Sequence, residues 1–130
     1  MGILVNYETP TRVVRYTVAD GVGIAKGTLL KATTPNTASA ASADNDVVAG
    51  IAMMEKVADD GTTEISVAQD GVWGVLTSAS AITIGEDVVV NGANEIKKYT
   101  TLDREKGYVL GKAMQTIGAS ATVISVRVNV

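Results

Sequence analysis

Segments from the middle of this chain recur near its C-terminus in the same order, and that recurrence limits the folds open to it. Val48-Ala49-Gly50-Ile51-Ala52-Met53 is echoed by Val109-Leu110-Gly111-Lys112-Ala113-Met114, and Glu64-Ile65-Ser66-Val67 by Val123-Ile124-Ser125-Val126. Upstream, Ile24-Ala25-Lys26-Gly27 followed by Leu29-Leu30 is echoed by Ile82-Thr83-Ile84-Gly85 followed by Val88-Val89. The spacing stays near sixty residues, with small slips at the turns. Similarity at a fixed period marks a repeated supersecondary unit, and two copies are too few for a solenoid. The repeat predicts two pseudo-symmetric halves closing on one core, with Gly50 and Gly111 at equivalent places.

Inside each copy the pattern is that of strands. Val47 to Met54 is almost continuously apolar, as a strand buried on both faces would be. Asp59-Asp60-Gly61 is a turn signal, because aspartate tolerates turn geometry and glycine supplies positive φ. Ile65-Ser66-Val67 alternates at the two-residue strand period. Asp70-Gly71 predicts a further turn, and Val72 to Leu76 the next strand, so this stretch reads as a β-meander. Val13 to Val18 and Thr28 to Ala32 predict earlier strands. Asn91-Gly92-Ala93-Asn94, between Asp87–Val90 and Glu95–Tyr99, is a hairpin signal. Tyr108 to Gln115 and Thr122 to Val130 close the chain as strands. Thr37 to Asp46 fits either a weak edge strand with a loop or a short helix, and Thr101 to Lys106 fits one helical turn. No segment carries a long apolar stripe at helical period. The expected fold is all-β: a small single-domain β-barrel or β-tulip-like module with two pseudo-repeated halves. An extended N-terminal arm (1–14) precedes the β-rich domain (15–130).

Composition narrows the chemistry. The 130 residues make one domain by size. Aromatics are only 4% and phenylalanine is absent, so the core must be aliphatic. There is no cysteine, hence no disulfide framework and no thiolate metal site. There is no histidine, which removes the commonest general base and metal ligand. The net charge is −3 with a pI near 4.8, and no basic cluster exceeds Lys97-Lys98, so nucleic acid is not an expected partner. No apolar run is long enough to span a bilayer, so no membrane partner is expected. The N-terminus lacks a signal-peptide pattern, and Asn6 breaks the myristoylation motif. The expectation is a chain soluble and intracellular at synthesis.

Few residues suggest a site. The acidic groups Asp44 with Asp46, Asp59-Asp60, Glu86-Asp87 and Asp103 with Glu105 each sit beside a turn, where backbone preference explains them. The glycines form neither a dinucleotide fingerprint nor a phosphate loop, and no serine or threonine has an evident activating base. No catalytic, cofactor or metal residue is assigned. Trp73 fits an interface anchor or a plug for one end of a barrel. Ile3, Leu4, Val5 and Tyr7 form an apolar patch cut off from the core by Thr9-Pro10. That patch fits an arm docking on a partner's sheet edge, or an edge strand of its own domain.

The assembled pattern resembles the capsid cement, or head decoration, proteins of tailed bacteriophages. The residues that carry the resemblance are Gly27-Thr28-Leu29-Leu30, Val47 to Ala52, Val67-Ala68-Gln69-Asp70-Gly71-Val72-Trp73, Ile84 to Val89, and Leu110-Gly111-Lys112-Ala113. The match covers residues 20 to 130. The resemblance implies a β-rich, non-enzymatic module on the outer surface of an icosahedral head, made in the host cytoplasm and carried in the virion. It implies a homotrimer that stabilises the head by clamping neighbouring subunits of the major capsid protein, with no cofactor. Ile3, Leu4, Val5 and Tyr7 are then the expected capsid contact. The alternative is a carbohydrate- or receptor-binding β-module of a phage tail or fibre. Such sites need aromatic platforms, and one tryptophan with four unclustered tyrosines supplies few.

Overall fold

The computed structural model describes residues 4–42, 47–77, 81–98, 109–118 and 122–130. The helical turn expected over 101–106, the acidic pairs Asp44/Asp46 and Asp103/Glu105, and Ile3 lie outside these residues. The chain is all-β. Its strands are β1 (Val5–Glu8), β2 (Val13–Thr17), β3 (Leu29–Thr34), β4 (Thr37–Ala40), β5 (Val48–Ala52), β6 (Glu64–Ala68), β7 (Asp70–Thr77), β8 (Asp87–Val90), β9 (Glu95–Lys98), β10 (Val109–Ala113) and β11 (Val123–Asn129).

Two five-stranded barrels result. The first closes in the order β2-β4-β3-β5-β6, with β6 pairing back to β2. The second runs β7-β11-β10-β8-β9 and closes through a short parallel contact between β7 and β9, with β1 added outside on β7. Every pairing of the first barrel has its counterpart in the second at matching register. The parallel contact Thr17↔Thr37 corresponds to Leu76↔Glu95, Leu30↔Ala40 to Val88↔Lys98, Leu30↔Gly50 to Val88↔Gly111, and Ile51↔Ala68 to Lys112↔Arg127. Even the lone bridge Ile24↔Lys56 returns as Ile82↔Ile117.

The expected equivalence of Gly50 and Gly111 is present, and sterics explain it. Each glycine sits where a bulge brings its strand against the next one. A side-chain carbon at Gly50 would press on Val67 Cγ1 at 2.6 Å and on the Ala68 carbonyl; one at Gly111 would press on the Arg127 carbonyl. Gly50 also holds φ +143°, which other residues rarely adopt.

Barrel interiors repeat residue for residue. Val18, Ile24, Leu30, Ala38, Ala49, Ala52, Ile65 and Val67 form the first, and Thr77, Ile82, Val88, Ile96, Leu110, Ala113, Ile124 and Val126 hold the same places in the second. The larger apolar cluster does not stop at one barrel. Leu29, Val48, Ile51 and Ala68 from the first join Val75, Val88, Val90 and Leu110 of the second. The β8–β9 turn adds a polar tie, as the Leu29 N–H donates to Asn94 Oδ1 at 2.8 Å.

Three sequence expectations need correction. Leu29-Leu30 corresponds to Asp87-Val88, not Val88-Val89, because strand register rather than local apolarity sets the alignment. Asp70-Gly71 lies inside β7 and makes no hairpin. There β6 and β7 belong to different barrels, so the stretch is not one continuous meander. Finally, the arm boundary at residue 14 cuts through β2, whose five residues all pair with β6. The undecided Thr37 region is strand β4, up to Ala40.

Candidate functional site

Strand β1 is an edge strand of its own domain. It pairs antiparallel with β7 through Val5↔Gly74, Asn6↔Trp73 and Glu8↔Val72. The glycines of Asp70-Gly71-Val72-Trp73-Gly74 make room for it. A side-chain carbon at Gly71 would meet the Glu8 carbonyl at 2.7 Å, and one at Gly74 would meet Tyr7 Oη at 2.6 Å. Asp70 fastens the link to β2 by accepting from the N–H groups of Thr11 (2.8 Å) and Arg12 (2.9 Å) and from Thr11 Oγ1 (2.5 Å). Those hydrogen bonds, the Thr11 hydroxyl first, hold the Asp70 carboxyl below the usual carboxylate range. Arg12 in turn donates to the Val130 carbonyl at the chain end.

The sequence-predicted residues separate on this frame. Leu4 is buried, its N–H donating to the Gly27 carbonyl of the first barrel at 2.9 Å. Trp73 is buried too, and its indole N–H donates to the Asp70 carbonyl at 3.0 Å. The ring is spent on the apolar core. Val5 and Tyr7 are exposed, at 53% and 58%, and present an apolar strip beside the shallow pocket that Leu4, Lys26, Met53 and Trp73 line. Of the predicted contact set within the described residues, these two reach solvent.

A second surface was missed by the sequence. Where the first barrel has Leu29, Ile51 and Ala68 against its neighbour, the second has Asp87, Lys112 and Arg127. Lys112 Nζ donates to the nearly buried Asp87 at 2.8 Å. With Val109, Gly111 and Asn129 these residues line a groove on the outer side of the second barrel. The signal was available: aligning Asp87 with Leu29 and Lys112 with Ile51 shows apolar docking residues replaced by charge.

The acidic turns are structural. Lys56 is buried, its Nζ donating to the carbonyls of Asp20 (2.6 Å) and Val57 (3.2 Å), with the Asp20 and Asp60 carboxylates at 3.6 and 3.7 Å. Asp60 accepts from the Thr62 and Val57 N–H groups, which lower its pKa. Glu86 is lowered by the Thr83 N–H first and by Lys98 next, at 3.0 Å. Among the described residues no three acidic side chains converge on a common point suited to a metal. No helix among them is long and apolar enough to cross a membrane.

The chain is similar in fold to the crystal structure of the head fiber gp8.5 N base in bacteriophage phi29. The TM-score is 0.55 at 14% identity, over 91% of this chain and 95% of that one. No protein-family model matches the chain, and no curated protein matches it.

Proposed function

We propose that this protein is a non-enzymatic structural component of a tailed-phage head, seated on the outer capsid surface. One observation carries the reading. The tandem-barrel fold is shared, across nearly the whole of both chains, with the base of a head fibre. The sequence resemblance to head decoration proteins agrees with it. Its partner is the major capsid protein, and its action is to clamp neighbouring capsid subunits as a homotrimer. Linked copies bind several lattice sites at once, and the resulting avidity compensates for the small area one domain offers. The exposed Val5 and Tyr7 supply apolar contact area of the kind an interface core uses.

Co-sedimentation of the purified protein with phage heads and, separately, with tails tests the reading. Binding to heads with a raised temperature of DNA release supports clamping. Binding to heads without stabilisation leaves an anchoring role of the fibre-base kind. Binding to tails or to glycans instead would replace the head reading with the receptor-binding one. Sedimentation velocity of the free protein checks the trimer.

A further inference from the structure

The internal symmetry also shows where the two barrels differ. In the second barrel, β1 covers the edge of β7 at Val72 and Gly74. The matching residues of the first barrel are Val13 and Arg15 of β2, since Val13↔Ala68 and Arg15↔Ser66 correspond to Val72↔Arg127 and Gly74↔Ser125. Among the described residues nothing pairs with β2 there; its contact with β4 is confined to Thr17↔Thr37.

Main-chain direction follows from strand alternation. The Thr17 N–H donates to the Asn36 carbonyl at 2.6 Å, away from β6, whereas the Val18 N–H donates to Thr63 on the β6 side. The N–H and C=O groups of Val13 and Arg15 therefore face the open edge with that of Thr17. Side chains tell the same story. Trp73 and Val75, under β1, are 3% and 0% exposed, while their counterparts Val14 and Tyr16 are only half-buried. This edge carries one exposed charge, Arg15, which lies 3.7 Å from Glu64, and it has no bulge. The register of β2 on β6 is regular over five pairs, whereas β1 itself is bulged between Asn6 and Glu8.

We propose that the open edge of β2 accepts, antiparallel, an extended segment of the capsid protein; this rests on the head-surface reading above. The segment hydrogen-bonds to the main chain of Val13 and Arg15 and covers Val14 and Tyr16 with apolar side chains. A second copy's β1 does not fit in the matching register. Tyr7 needs the bare glycine that Gly74 provides, and β2 carries Arg15 at that place. Strand addition of this kind takes its affinity from the main chain and its specificity from alternate side chains.

The test uses the full chain and capsid shells lacking it. Val13→Pro and Arg15→Pro each remove one outward N–H while sparing the bonds to β6, as edge proline does. Both are expected to weaken shell binding at least tenfold, and Arg15→Val, which keeps its N–H, by less. Hydrogen exchange on the unmodified protein serves if a proline variant fails to fold: the Val13 and Arg15 amides should become protected on shells. If the unmodified protein does not bind shells, the head reading itself fails. If it binds and the folded proline variants bind as tightly, or the two amides exchange as fast on shells as in solution, the edge has no such role. Conversion of an oligomer to a monomer by either proline would assign the edge to a second copy and overturn the capsid segment.

Discussion

Gly50 and Gly111 show how single residues hold this fold. Neither is demanded by a turn; each lets one strand pass within contact distance of the next. Gly50→Ala adds a clash and a strained φ together, so its expected cost is on the order of 2–3 kcal/mol, read by denaturant unfolding. A cost near zero would contradict the packing described. Asp60, Asp70 and Glu86 act at the same scale through hydrogen bonds to backbone N–H groups and a threonine hydroxyl. All three have lowered folded-state pKa values, so the unfolded chain takes up protons first on acidification. Their contribution is complete above the usual carboxylate range and is lost as pH falls through it and below. Melting temperature should therefore drop on that acid limb, and Asp70→Asn should make the drop shallower.

At the scale of elements, β1 matters most. With Leu4 buried just before it and Trp73 buried beside it, β1 belongs to the fold, and only its outer face is left for the proposed partner contact. Deleting residues 2–9 removes about 2 kcal/mol of apolar burial, and the melting temperature should fall by roughly 7 °C. Tryptophan emission should shift to the red as the ring meets water. An unchanged melting curve would mean that β1 is not docked in solution. Much of this level was legible in advance. The Gly-x-Ala-Met and Ile-Ser-Val echoes located β5 with β10 and β6 with β11, and Asn-Gly marked the β8–β9 hairpin. What escaped was pairing at long range. Asp70-Gly71 has the composition of a turn, yet its glycine serves β1, some sixty residues away in sequence. Likewise Asp87 looked like a turn carboxylate until register placed it opposite Lys112. Local sequence does not encode register; the facing strand does.

For the whole molecule, the decisive feature is that the second barrel's apolar cluster takes in Leu29, Val48, Ile51 and Ala68 of the first, whose interior is a cluster of its own. The halves are repeats in sequence but not independent bodies, and unfolding should show a single cooperative transition whose calorimetric and van't Hoff enthalpies agree. Two resolved transitions would contradict the shared core. The two barrels nonetheless present unlike surfaces: a charged groove on the second and, among the described residues, a strand edge without a pairing partner at Val13 and Arg15 on the first. The most direct test of the proposed head role is cryo-electron microscopy of intact phage particles carrying this chain. Density fitting the two joined barrels on the outer face of the head, contacting more than one capsid subunit, is the predicted result. A bare head, with the same density on the tail or nowhere on the particle, would contradict it.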